Sequence, residues 1–279
     1  MTPNDSQENA GDILPRRTIY CFLVVTLVGL TFSIAVSSIA MGVAIGLLLF
    51  LILKNGWSGV LRTPLDLFFL AYVLAEILST IFSVEPISSL VNMKRLLLIS
   101  IVYLVLLSID DEVKLKFLLG LLIFVPTLLT VLELFALTSI GGHYVRMSLF
   151  QYYLTEAGIK MIMLLLTLPF VIHAETPIRW KVAAGVASGI LFLGLVITQT
   201  RSAWLGFIGG VITLGMLRNK KLLAALLLII ILFVFFAPSD FRVRAASIFD
   251  PTLTSNLTRI HMITTGWRMF LDRPLLGTG

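Results

Sequence analysis

Thr198-Gln199-Thr200-Arg201-Ser202-Ala203-Trp204 stands between two apolar runs, residues 191–197 and 205–217, each able to enter a bilayer. An unpaired arginine at or just inside a membrane surface costs about a few kcal/mol, so its default reading is functional. Working outward, the surroundings are apolar almost throughout. Of the 279 residues, 58% are hydrophobic and 13% charged, and the mean hydropathy is +1.02. A soluble domain carries about a quarter charged residues. Apolar runs near the ~20 residues that cross ~30 Å of hydrocarbon predict an all-α polytopic integral membrane protein. The short alternating segments of a transmembrane barrel are absent from the sequence. Cys21 is the single cysteine and lies in the first apolar run, so there is no disulfide framework.

Nine crossings are expected. Residues 18–53 are too long for one helix at ~1.5 Å per residue and read as a hairpin turning near Ser37-Ser38. Further spans fall at about 64–82, 96–109, 117–137, 157–172, 181–197, 203–217 and 222–236. This divides the chain into a cytoplasmic tail (1–17), a transmembrane helical domain (18–236) and the start of a periplasmic loop (237–279). Orientation follows from lysine and arginine. With the N-terminus inside, eleven fall on cytoplasmic segments, among them Arg16, Arg17, Lys114 and Lys116. Five fall on the short outer segments and their margins: Lys94, Arg95, Arg146, Lys160 and Arg201. That bias makes the N-terminus cytoplasmic and the tail after Phe236 external. The net charge of +6 thus reflects topology, and no nucleic-acid partner is implied.

The outer cations have their own bias. With Arg242, Arg244, Arg259, Arg268 and Arg273 added, eight of the ten are arginine. The guanidinium fork binds phosphate oxygens in a bidentate manner that lysine cannot match. The alternative is that they snorkel to headgroups or pair with Asp240, Asp250 and Asp272. In the tail, Asp250-Pro251 and Thr254-Ser255-Asn256 signal a turn and a helix N-cap. From there Leu257, Ile260, Ile263, Trp267, Phe270 and Leu271 form a helical stripe with Arg259 and Arg268 on opposite borders. Such a helix either lies on the outer leaflet or packs against the bundle.

Two segments carry a resemblance. Thr200-Arg201-Ser202-Ala203 at a span's outer end is one. The other is Asn256-x-x-Arg259, followed by Gly266-Trp267-Arg268-Met269-Phe270 and Pro274-Leu275-Leu276-Gly277-Thr278-Gly279. In this order, after this series of spans, they resemble the O-antigen ligase and polymerase superfamily of bacterial envelope glycosyltransferases. The resemblance implies an inner-membrane enzyme with a periplasmic active face. It would transfer a glycan from an undecaprenyl-diphosphate-linked donor to an acceptor hydroxyl, with lipid A core first in line. Another glycan (polymerase) or a protein hydroxyl is the alternative acceptor. Arg201 and Arg259 match the family's two functional arginines and are expected to converge on the diphosphate. Lys94 and Arg95 match a basic position more loosely, and Arg146 and Arg268 are further substrate-binding candidates. The family's functional histidine has no counterpart here, since His143, His173 and His261 all precede the Gly-x-Gly. The chain therefore reads as an N-terminal fragment, expected to transfer nothing alone, with its catalytic group lying beyond Gly279.

No cofactor or metal is expected. Preorganised arginines stabilise a departing diphosphate, whereas a Mg²⁺ enzyme would gather carboxylates, and Glu85, Glu133 and Glu156 form no close cluster in sequence. Glu76, inside the third span, is either functional or a satisfied structural acid. Asp66 reads as a helix-start acid. Tyr144, Phe150, Tyr152 and Tyr153 form an interface belt or a sugar platform. Gly206, Gly209 and Gly210 are expected to admit a neighbouring helix. The competing class is a flippase or transporter of the same lipid-linked anion. It would place polar groups near the midplane on broken, repeated helices, whereas here the cations crowd one face.

Overall fold

A computed structural model describes residues 10–56, 63–139, 151–173, 175–218, 220–274 and 277. Among them the regular structure is entirely helical: α1 (Ala10–Gly29), α2 (Ile34–Asn55), α3 (Asp66–Ile81), α4 (Pro86–Asn92), a 3₁₀ run (Met93–Ile99), α5 (Ser100–Ser108), α6 (Glu112–Ser139), α7 (Tyr153–Ile172), α8 (Ile178–Ile197), α9 (Arg201–Leu217), α10 (Lys221–Phe236), α11 (Ser239–Ala246) and α12 (Thr254–Asp272). Helices satisfy every backbone group within the segment, as hydrocarbon demands. The chain is a multi-pass helical membrane protein.

Nine full-length crossings are not reproduced. Among the described residues, five helical stretches are long and apolar enough to cross: Ile34–Lys54, Pro86–Ser108, Glu112–Ala136, Tyr153–Ile172 and Ile178–Ile197. α9 has 17 residues and α10 has 16, which at ~1.5 Å each span roughly 25 Å rather than ~30 Å. α3, also of 16 residues, is similarly short.

The first hairpin turns at residues 30–33, not at Ser37-Ser38. Thr31 N donates to Val28 O at 3.0 Å and Ser33 N to Gly29 O at 2.7 Å, while the Thr31 hydroxyl donates to Val28 O at 2.6 Å. These bonds close the end of α1 before the two serines, which lie in α2. At Gly29 a Cβ would come 3.0 Å from Ser37 N, so a side chain there would have to push the start of α2 back by a few tenths of an ångström.

The described residues group into two compact units. One comprises Met1–Thr26, Ser38–Lys114 and Pro251–Gly279; the other comprises Leu27–Ser37 and Leu115–Asp250. In the first, α3 packs on α4 and the 3₁₀ run. The Asp66 carboxylate accepts from Thr63 N at 3.2 Å and from the Tyr103 hydroxyl at 2.8 Å, so it is the helix-start acid expected, with a partner added from α5. α12 starts after Leu253, which makes no side-chain cap, and none of its residues is buried. The expected N-cap by Thr254-Ser255-Asn256 is thus displaced by one turn residue.

In the second unit α7 packs most extensively on α8, then on α9, and α9 on α10. Ala157, Leu164, Leu191, Leu195, Ala203, Phe207, Val211 and Leu226 form the core. Two glycines allow these approaches: a Cβ at Gly210 would come 2.5 Å from Leu165 Cδ1, and one at Gly206 would overlap the Met161 sulfur. Gly209 faces open space and takes no part, contrary to expectation.

Candidate functional site

Arg201 is the first residue of α9 and is only 4% exposed. It gets there by a tight turn. α8 ends with the Thr198 hydroxyl donating to Leu195 O at 2.8 Å. Gln199 then adopts a left-handed φ of 49°, and Thr200 N-caps α9 in an extended conformation. Thr198 and Thr200 are buried at 0% and 4% exposure. Trp204, one turn into α9, donates its indole N–H to Leu195 O at 3.1 Å, fixing α9 against the end of α8.

A short helix absent from the sequence reading completes this turn. The Arg201 Nη1 donates to the backbone carbonyl of Ser247 and to its hydroxyl at 3.1 Å. The Ser247 hydroxyl donates in turn to Arg244 O at 2.6 Å, and Arg244 Nε donates to Gln199 O at 3.2 Å. This circuit ties the Thr198–Arg201 turn to the C-terminal end of α11. Arg244 was counted in sequence only as one external cation among several. Its role here depends on a contact to a backbone carbonyl 45 residues away, which no local pattern reveals.

The second constellation lies at the same ends of the helices. The Lys160 Nζ, in the second turn of α7, binds the carboxylates of Glu156 on its own helix and Glu133 on α6. Side-chain exposure is 3% for the lysine and 7% for each acid. This corrects two readings. Lys160 is no marginal surface cation, and Glu133 and Glu156 do converge, on an ammonium that they share. A crevice of about 10 Å³ adjoins them, lined by Thr130, Glu133, Leu134, Lys160, Gly194 and Ile197. That is about the space one water needs. The Glu156/Lys160 spacing of one helical turn was visible in sequence; the third member, 27 residues back, was not. Among the described residues no group of three or more His, Cys, Asp or Glu side chains is placed to hold a metal.

In the first unit, Lys94 and Arg95 lie on the 3₁₀ run within the continuous stretch Pro86–Ser108, not in the outer loop expected for them. Both are exposed. Arg95 is engaged with Glu76 of α3, its Nε at 2.8 Å and Nη2 at 2.6 Å from Oε1. Glu76 is therefore a satisfied acid. Arg273 Nη1 donates to Phe82 O at 3.2 Å, which brings the residues following α12 to the C-terminal end of α3. There Gly277 takes a left-handed φ of 68° and donates its N–H to Arg273 O at 3.0 Å. Arg259 and Arg268 are exposed on α12. Arg201 belongs to the second unit and Arg259 to the first. Arg146 and His143 lie outside the described residues.

Residues 186–279 match the family model described as O-antigen ligase, and the match assigns this segment to the O-antigen ligase superfamily. It covers Arg201, Arg244, Ser247, Arg259 and Arg268, and leaves out the Lys160 cluster. No curated protein matches the chain. No solved structure matches it either.

Proposed function

We propose that this chain, through its O-antigen ligase segment, supplies the donor-binding part of an enzyme that transfers a glycan from an undecaprenyl-diphosphate-linked donor to an acceptor hydroxyl, with lipid A core as the acceptor. The site faces the periplasm from the inner membrane, and the donor's diphosphate is held by Arg201 and Arg259. Lys94, Arg95, Arg146 and Arg268 serve as further cations along the substrate's path. The observation that carries the reading is Arg201 itself: an arginine 4% exposed, inside the family match, at the mouth of an apolar helix.

The chemistry follows from the leaving group. As the bond between the sugar's anomeric carbon and the phosphate oxygen breaks, negative charge develops on the diphosphate. Guanidinium N–H groups held in place beforehand stabilise that charge without reorganising. The acceptor oxygen forms the new glycosidic bond and gives up its proton to a base. A metal-independent route is favoured, because Glu133 and Glu156 are committed to Lys160 and guanidinium groups can supply the positive charge that the leaving diphosphate needs. In an assay of the full-length protein in lipid vesicles with donor and acceptor, free undecaprenyl diphosphate should appear in step with the glycosylated acceptor, in the presence of EDTA. If the donor crosses the bilayer and stays intact, the protein is a flippase. Transfer abolished by EDTA would overturn the metal-independent route.

A further inference from the structure

Lys160 and its two carboxylates are buried in an apolar helical unit, where three ionisable groups are costly. Stability does not explain them. Replacing a buried ion cluster with well-packed apolar residues is often neutral or stabilising. What such a cluster supplies is register, because its partners satisfy each other in one arrangement only. Here that arrangement involves three helices. The lysine ammonium joins α7 to α6 through Glu133 and is kept from swinging away by Glu156, one turn earlier on α7. Its extended stem then lies over Gly194 of α8: a Cβ there would come 3.3 Å from Lys160 Cε and would overlap the Thr130 methyl of α6. α8 is therefore seated against α6 and α7 at a level where it has no side chain; its other two glycines, Gly185 and Gly189, face open space. Within one turn of that contact α8 ends, Gln199 reverses the chain, and Arg201 begins α9.

We propose that the Glu133–Lys160–Glu156 cluster is the positioning device for Arg201: it sets the depth and rotation of α8's end, and with them the place of the guanidinium. This rests on the reading of Arg201 as a diphosphate contact, and it adds three positioning residues that lie outside the O-antigen ligase match. Lys160 is the pivot. Removing its tie to α6 leaves α7 intact and frees α8.

The test uses the full chain in detergent, in the parent and in an Arg201→Ala background. Glu133→Gln reduces the tie to α6 from an ion pair to a weaker hydrogen bond on a neutral amide and keeps the Glu156–Lys160 pair. Glu133→Gln/Lys160→Met/Glu156→Gln removes all charge. Two readouts are taken: amide hydrogen exchange across residues 198–203, and turnover per folded molecule with saturating donor. Exchange at 198–203 should accelerate in both variants while the middle of α7 and α9 keeps its protection. Turnover should fall by up to about 100-fold, the scale of an ~1 Å misplacement. The same substitutions should cost nothing further once Arg201 is alanine. Unchanged exchange at 198–203 would overturn the proposal, as would an equal fold-loss in both backgrounds. If Arg201→Ala alone keeps full turnover, the diphosphate role is what fails, and the exchange data still decide whether the cluster positions the turn. If the triple variant does not fold, Glu133→Gln alone decides.

Discussion

Arg201→Ala and Ser247→Ala separate the two roles that the buried guanidinium combines. The alanine at 201 removes the charge-assisted bonds to the Ser247 carbonyl and hydroxyl. Hydrogen bonds to a charged group contribute about 1.5–3 kcal/mol. The two methylenes lost beyond Cβ add about 1.6 kcal/mol at ~0.8 each. Returning a charge to water offsets part of this, which leaves a net loss of roughly 2–3 kcal/mol. For a chain of this size that is a fall in melting temperature of roughly 4–12 °C, at ~2–4 °C per kcal/mol. Ser247→Ala keeps the carbonyl contact and loses only the hydroxyl's bonds at 3.1 and 2.6 Å, for about 1 kcal/mol. The activities should diverge much further. If Arg201 meets the diphosphate, turnover per folded molecule falls about 10²–10³-fold in Arg201→Ala, is recovered only in part by Arg201→Lys, and changes a few-fold in Ser247→Ala. The assay is donor-saturated turnover normalised to folded protein by size-exclusion chromatography, with melting followed in parallel. Near-parental turnover in Arg201→Ala, beside the expected drop in melting temperature, would make this arginine a clamp for α11 and nothing more.

Gly210→Ala should destabilise by about 1–3 kcal/mol, because its Cβ meets a branched leucine end at 2.5 Å; Gly209→Ala, facing open space, should be neutral or better in the same melt. The Asp110 carboxyl, between α5 and α6, is held below its usual range chiefly by its hydrogen bond from Lys114 at 2.5 Å. A depressed folded value means that its stabilisation is present above about pH 4, the ordinary aspartate value, and is lost as pH falls through the lower folded value. Asp110→Asn should therefore remove a small acid-side decline in melting temperature, small because the side chain is 63% exposed; an identical acid limb in both proteins would contradict this. In a Cys21→Ser background, a cysteine at Ser255 should react with an impermeant thiol reagent in intact spheroplasts and one at Lys54 should not; the reverse pattern would invert the topology.

The C-terminal ends of α7, α8, α9 and α10 are legible in the sequence, while their starts lie one to four residues earlier than the hydropathy suggests. Expected ends at 172, 197, 217 and 236 are the observed ends of α7, α8, α9 and α10. Apolar runs that end on polar or turn-forming residues leave little choice of end point in hydrocarbon. Where hydropathy does not change at a boundary, the reading fails. Residues 18–53 are apolar on both sides of the true turn, and the Thr31 and Ser33 bonds that close it are local geometry, not composition. α11 is short and mixed in character, so its part in clamping Gln199 and Arg201 is written only in tertiary contacts. The Lys160 cluster was missed for a different reason. Counting cations by their distance from span ends assigns Lys160 to the surface, because the count has no knowledge of the acid on α6 that draws it inward.

The partners of each cation divide the candidates by what binding an anion requires of them. Lys94, Arg259 and Arg268 are exposed, and a phosphate can approach them by displacing water. Arg95 is exposed but shared with Glu76, so an anion there meets a carboxylate already in place. Arg201 is different in kind. Its Nη1 already donates to two oxygens, the Ser247 carbonyl and hydroxyl. A diphosphate bound at Arg201, as proposed above, would have to share or replace those contacts. A guanidinium held this way keeps its orientation while the site is empty and loses little conformational freedom when the anion arrives. The clamp seen here is thus compatible with the diphosphate role. Through Arg244 and Gln199 the same circuit links the Arg201 side chain to the position of α11.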